Sequence, residues 1–133
     1  MKANELMVGD YLRVNRDGIC IPKGKIVRVS EIDSENTFRE KGLKGSARCE
    51  AVGDPWLSGG IWCDYLDPIP LTPEILEKNG FKDIDKEDNC DGYDIYWTTG
   101  DGFSINTQDL HLHYVHELQH ALRLCGIEKE ITP

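Results

Sequence analysis

The segment Asp67-Pro68-Ile69-Pro70-Leu71-Thr72-Pro73-Glu74 constrains this chain more than any other. Pro68 and Pro70 hold the backbone extended and make a rigid connector. Thr72 then stands as an N-cap, Pro73 as the first helical residue and Glu74 in the first turn, which together start a helix. Asn79-Gly80 gives that helix a left-handed stop, with Ile75 and Leu76 facing inward and Phe81 packed against them. The connector therefore separates a β-rich lobe, residues 1–67, from an α+β lobe, residues 68–133, packed with it in one α+β protein.

The first lobe reads as short strands between turns. Val8-Gly9-Asp10 opens a strand at Tyr11-Leu12-Arg13-Val14. Asp17-Gly18 is a hairpin signal followed by Ile19-Cys20-Ile21. Ile26-Val27-Arg28-Val29 alternates on through Glu31-Ile32, and the polar stretch from Asp33 to Gly45 reads as loop. Ala47 to Val52 and Ile61 to Leu66 are further strands, with Gly59-Gly60 between them. Close-spaced strands of this kind suggest a small β-barrel of SH3-like size. Barrels of that size bind peptides or nucleic acid, but a fold does not give a function.

In the second lobe, Tyr93 to Thr98 and Gly102 to Asn106 form a hairpin. Leu110-His111-Leu112-His113 has period 2, and residues 109–113 make the third strand of an antiparallel meander. A helix over 114–125, stopped by Gly126, closes the lobe. On a wheel, Tyr114, Val115, Leu118, Ala121, Leu122 and Cys125 share a core arc, opposite His116, Gln119, His120 and Arg123.

Composition narrows the class. With 39% apolar and 29% charged residues, an ordered globular protein is expected. No apolar run approaches the roughly 20 residues of a membrane span, and Met1 to Leu6 has no apolar signal core, so the expected location is the cytoplasm. The net charge of −9 is uneven. Residues 1–70 carry 10 Lys and Arg against 11 Asp and Glu, whereas residues 71–133 carry 5 against 13. The acidic second half disfavours non-specific nucleic-acid binding. In the first half, Lys23, Lys25 and Arg28 could form a local basic patch. The five cysteines show no paired spacing and are expected as reduced thiols, several of them buried. There is no internal repeat, Gly-rich phosphate loop or serine elbow.

One stretch names a chemistry. His116-Glu117-Leu118-Gln119-His120 matches the zinc-hydrolase signature H-E-x-x-H. Two histidines four apart lie about 40° apart on a helix and can share a metal, while the glutamate takes a proton from bound water. A catalytic zinc needs a third protein ligand. The metzincin extension fails, because Arg123 and Gly126 stand where a glycine and a histidine are required. Only 13 residues follow His120, too few for a ligand from a downstream helix. That leaves His111, His113 or Asp109. Arg123 projects between the two histidines and repels a divalent cation. The match is therefore read as a polar helix face that spells the signature, with no metal or other cofactor. Zinc hydrolysis with Glu117 as base and His116 and His120 as ligands is the alternative.

Two other patterns reduce to ordinary structure. The acids between Asp83 and Asp94 fail as a calcium loop, with Asp88 where glycine is needed and Asp94 where a bidentate glutamate is needed. Trp97, Tyr96 and Phe103 could form a ligand platform, but alternating strand aromatics are more often core.

Three blocks carry a resemblance: Met1-Lys2-Ala3-Asn4-Glu5-Leu6 with Gly9-Asp10, the run from Pro68 to Phe81, and Tyr114-Val115-His116-Glu117-Leu118-Gln119-His120. As a set they resemble a family of small uncharacterised proteins from gut Bacteroidetes and their phages or integrated elements. In that family the last block reads Tyr-Val-His-x-Leu-Gln-Asn, which keeps only His116 of the zinc signature. The resemblance implies an accessory protein of a mobile element. The chain is thus expected to be a non-catalytic interaction protein with a protein partner, using His116, Gln119, His120 and Arg123 as its exposed face. A nucleic-acid-binding barrel at residues 1–67 is a second alternative.

Overall fold

Strand β3 (Leu43–Ala51) shows why the first half of the chain folds as a sheet. Leu43, Gly45, Ala47, Cys49 and Ala51 are buried, while Lys44, Arg48 and Glu50 between them are exposed. One face of a pleated strand is thereby committed to a core. The computed structural model describes residues 1–81 and 112–133 in full, and the backbone of residues 84–85, 94–98 and 104–106. The chain divides into two units, Met1–Ile69 and Pro70–Pro133.

In unit 1, β3 lies between β2 (Ile26–Phe38) and β4 (Asp54–Trp62), and β1 (Tyr11–Val14) joins β2 to β5 (Leu66–Pro68). The order is β4-β3-β2-β1-β5 with every pairing antiparallel. This leaves β4 and β5 as the ends of an open five-stranded sheet where a small barrel was expected. Leu12, Val14, Ile21, Val27, Val29, Ala47, Cys49, Ile61 and Leu66 are among the residues of its core. Each large aliphatic there contributes about 1.5–3 kcal/mol by leaving water. Asp10, fully buried, ties the N-terminal segment to the sheet. Its Oδ2 accepts from Met7 N at 2.7 Å, and its carbonyl accepts from Val29 N at 2.9 Å.

Three local expectations change. The β1–β2 hairpin closes not at Asp17-Gly18 but at Val14 and Lys25, where Val14 N donates to Lys25 O and Gly24 N to Val14 O. Residues 15–24 are a long excursion from that closure, and Ile21 drops back into the core instead of extending a strand. The polar stretch after Asp33 is strand as far as Phe38, then a one-turn 3-10 helix, Arg39–Lys41, leading into β3. Its residues are exposed on both faces, so it carries no alternation to read; pairing with β3 holds it extended. Gly59-Gly60 lies inside β4, with Gly59 opposite Cys49. A Cβ on Gly59 would sit 2.6 Å from the Cys20 sulfur, so a bare backbone is what lets the excursion cross the sheet. The strand expected over Ile61 to Leu66 is broken by a 3-10 turn at Cys63–Tyr65 before β5 begins.

In unit 2, helix α1 (Pro73–Lys78) is capped as its sequence requires, with Ile75 N donating to Thr72 Oγ1 at 3.2 Å. It ends in a Schellman turn, in which Phe81 N reaches Leu76 O and Gly80 N reaches Glu77 O. Phe81 and Leu76, the hydrophobic pair of that motif, are both buried. Helix α2 (Val115–Leu124) ends the same way through Gly126 and Ile127. A meander of β6 (Ile84–Asp85), β7 (Asp94–Thr98) and β8 (Ser104–Asn106) lies between them in sequence. Its third strand is therefore β6, upstream of the hairpin. Of the expected strand 109–113, the described end turns elsewhere: Leu71 N donates to His113 O, and Tyr114 bridges Pro70.

Burial, followed by the nearby Cys63 and Cys20, pushes the Cys49 thiol from its ordinary 9.0 up to about 12. The folded chain then holds this proton more tightly than the unfolded chain. The stabilisation is complete below pH 9.0 and is lost as pH rises toward about 12. Urea unfolding across this range should show stability falling by up to about 1.4 kcal/mol per pH unit from this group. Cys49→Ala should flatten the slope, and an unchanged slope would contradict the assignment.

Candidate ligand-recognition site

The structure redistributes the residues of the zinc-like signature. His116 and Gln119, expected on an exposed face, are 7% and 4% exposed; His120 and Arg123 are half-buried. Two of the four residues expected on one exposed face are thus buried. The wheel placed Val115, Leu118, Ala121 and Leu122 properly in the core, but Tyr114 and Cys125 from the same arc are exposed.

The physical reason is the tail that follows α2. Gln119 Nε2 donates to Lys129 O at 2.7 Å, and Gln119 Oε1 accepts from Ile131 N at 2.8 Å. Asn79, at the end of α1, does the same one residue on. Its Nδ2 donates to Thr132 O at 2.9 Å, and its Oδ1 accepts from Thr132 N at 3.0 Å. Two side-chain amides thus take the place of a partner strand for the tail, and Ile131 between them is fully buried.

Glu117 is also engaged. Tyr114 gives α2 no side-chain cap, and Glu117 Oε1 instead accepts from the backbone N–H groups of Tyr114 at 3.0 Å and His113 at 3.1 Å. That is the glutamate half of a capping box. The His116 and His120 rings meet edge to face with centroids 5.5 Å apart, and His113 Nδ1 lies 3.9 Å from Glu117 Oε1. Among the described residues no three His, Cys, Asp or Glu side chains are grouped to hold a metal ion. Asp109, His111 and Cys90, and the side chains of Tyr96, Trp97, Phe103 and the acids from Asp83 to Asp94, lie outside the described residues.

Two of the three residues of the expected basic patch face acids. Lys25 Nζ is paired with Asp54 Oδ2 at 2.8 Å, and Arg28 is the register partner of Glu50 on β3.

A different cluster does gather, in unit 1. A cavity of about 360 Å³ opens among the β1–β2 excursion, the β2–β3 turn and the end of β4. Arg16, Asp17, Phe38, Lys41, Trp62 and Tyr65 line it. Phe38 and Trp62 stack at 6.4 Å with planes 16° apart. The Arg16 guanidinium sits 4.8 Å from the Tyr65 ring centre, and the Lys41 ammonium 5.6 Å from that of Phe38. Such contacts align cations with the negative faces of the rings. The volume falls in the range of small-ligand sites, about 300–1,000 Å³. A second cavity of about 390 Å³, beside Met1, Lys2, Glu35 and Asp64, has no aromatic wall.

The sequence signal for this site was phase. Ile61 faces the core, so Trp62 must face away. Phe38 is a lone aromatic in a polar stretch, which a loop reading hides.

Comparison with protein-family models, with curated proteins and with solved structures finds no match.

The roles of Gln119 and Glu117 predict a sorted stability series. Gln119→Glu places a carboxylate against the Lys129 carbonyl and should cost about 1–3 kcal/mol in urea unfolding. Glu117→Ala should cost about 1 kcal/mol, while Glu117→Gln, which still accepts the cap bonds, should cost little.

Proposed function

We propose that this protein is a non-catalytic binding module that holds a segment of a protein partner in the Phe38–Trp62–Tyr65 groove. The observation that carries this is the assembly of three aromatic rings and two cations, from three separate loops and turns, around one open cavity. Aromatic rings left partly exposed beside cations are the usual anchors of recognition surfaces. A role as an accessory protein of a phage or integrated element belongs to the same proposal and rests on the sequence resemblance. So does a barrel-like curl of unit 1, supported by two register shifts in β2, at Val29/Glu31 and Asp33/Thr37. Such bulges bend a strand.

Gly60 provides a clean test. It lines the groove, and a Cβ placed there meets nothing within 4 Å. Gly60→Gln should fill the groove and leave the sheet intact. Selection from a random peptide display library on the full-length protein should enrich sequences on the wild type. The same selection should enrich none on Gly60→Gln or Trp62→Ala. No enrichment, or equal enrichment on all three, would contradict the proposal.

A further inference from the structure

We infer that the segment taken by the groove is an extended, acidic peptide; this rests on the reading of the groove as a peptide site. The polar side chains that line the groove are mainly hydrogen-bond donors. Arg16 and Lys41 carry only donors. Their described contacts are with the rings of Tyr65 and Phe38, and among the described residues neither makes an ion pair. The indole N–H of Trp62 is a donor, and the Tyr65 hydroxyl can donate. Among the described residues neither has a hydrogen-bond partner, although both side chains are half-buried. Against these four, the lip offers one carboxylate, Asp17.

A site this rich in donors is complementary to a ligand rich in acceptors. An extended peptide presents its backbone carbonyls outward, most fully where prolines remove its own N–H groups. Those carbonyls suit Trp62 and Tyr65, and an apolar or proline ring suits the Phe38–Trp62 stack. One or two carboxylates on the peptide would then meet Arg16 and Lys41, which stand over Tyr65 and over Phe38.

Local charge decides between this ligand and single-stranded nucleic acid, which would also stack on aromatics beside cations. The groove lining brings together two cations, Arg16 and Lys41, beside the carboxylate of Asp17, and residues 1–70 are nearly balanced at 10 Lys and Arg against 11 Asp and Glu. A polyanion needs an extended positive path. A peptide with one or two carboxylates needs only the charges within a Debye length, about 8 Å.

The test is the composition of what the groove selects. A random peptide library and a random single-stranded oligonucleotide pool are each selected on wild type, on Arg16→Gln/Lys41→Gln and on Arg16→Glu/Lys41→Glu. Both positions are exposed, and each variant is checked for native circular dichroism. The expected result is enrichment of Asp, Glu and Pro on the wild type, loss of the acidic bias on the neutral pair, and a switch to Lys and Arg on the reversed pair. A synthetic wild-type-selected peptide should bind the reversed pair on the order of tenfold more weakly. Enriched peptides without acidic bias, or with a bias that ignores the reversal, would overturn this inference and leave the groove as a peptide site. Enrichment of oligonucleotides alone, or of nothing, would overturn both.

Discussion

Strand β2 is the constraint on which unit 1 depends. Its first residues pair on both sides, with β1 and with β3, and bury Val27 and Val29 in the core. Beyond Asp33 it pairs with β3 alone and leaves the core, exposed on both faces. One strand therefore does two jobs. The buried half fixes the register of the sheet, and because a one-residue slip would turn Val27 and Val29 to solvent, that register is firmly set. The exposed half transmits the register outward to Phe38, whose ring meets Trp62 from β4. Residues far apart in sequence reach one cavity because a single hydrogen-bonded ladder holds their distances.

Unit 2 is organised by a different device. Two short helices end in matching Schellman turns, and the tail that follows is held by Asn79 and Gln119. Buried polar groups are tolerated where every donor and acceptor finds its complement, and a side-chain amide paired with one backbone segment meets that condition. Within the most suggestive string in the sequence, Glu117 caps a helix and Gln119 clamps a tail, so one of the three defining positions of the signature, and one of the two between them, has a role in local folding.

What could be read in the sequence follows from how local each cause is. The start of α1 was legible because Thr72, Pro73 and Glu74 act within one turn, and both helix ends because Gly80 and Gly126 supply the stop. β1 and the alternating part of β3 were legible from their periodicity. The second half of β2 was not, since its partner is the only thing that makes it a strand and its own residues do not alternate. The 3-10 turn at Cys63–Tyr65 was hidden inside an apolar run that looked continuous. Gln119 was misplaced because a wheel assumes one core face, whereas the tail gives α2 a second one. The groove was illegible for the same reason as β2: Phe38, Trp62, Tyr65, Arg16 and Lys41 are brought together by pairing and by turns, not by spacing.

The proposed recognition by this groove requires that a ligand touch Trp62. The chain has three tryptophans, Trp56, Trp62 and Trp97, whose indole N–H signals can be assigned in a proton–nitrogen spectrum by replacing each with phenylalanine. Titration with an acidic, proline-containing peptide obtained by selection on the protein should move the Trp62 signal. The signal of Trp56, 75% exposed on the edge strand β4, should stay in place. A bound peptide that shifts Trp56 or Trp97 and leaves Trp62 unmoved would contradict the account.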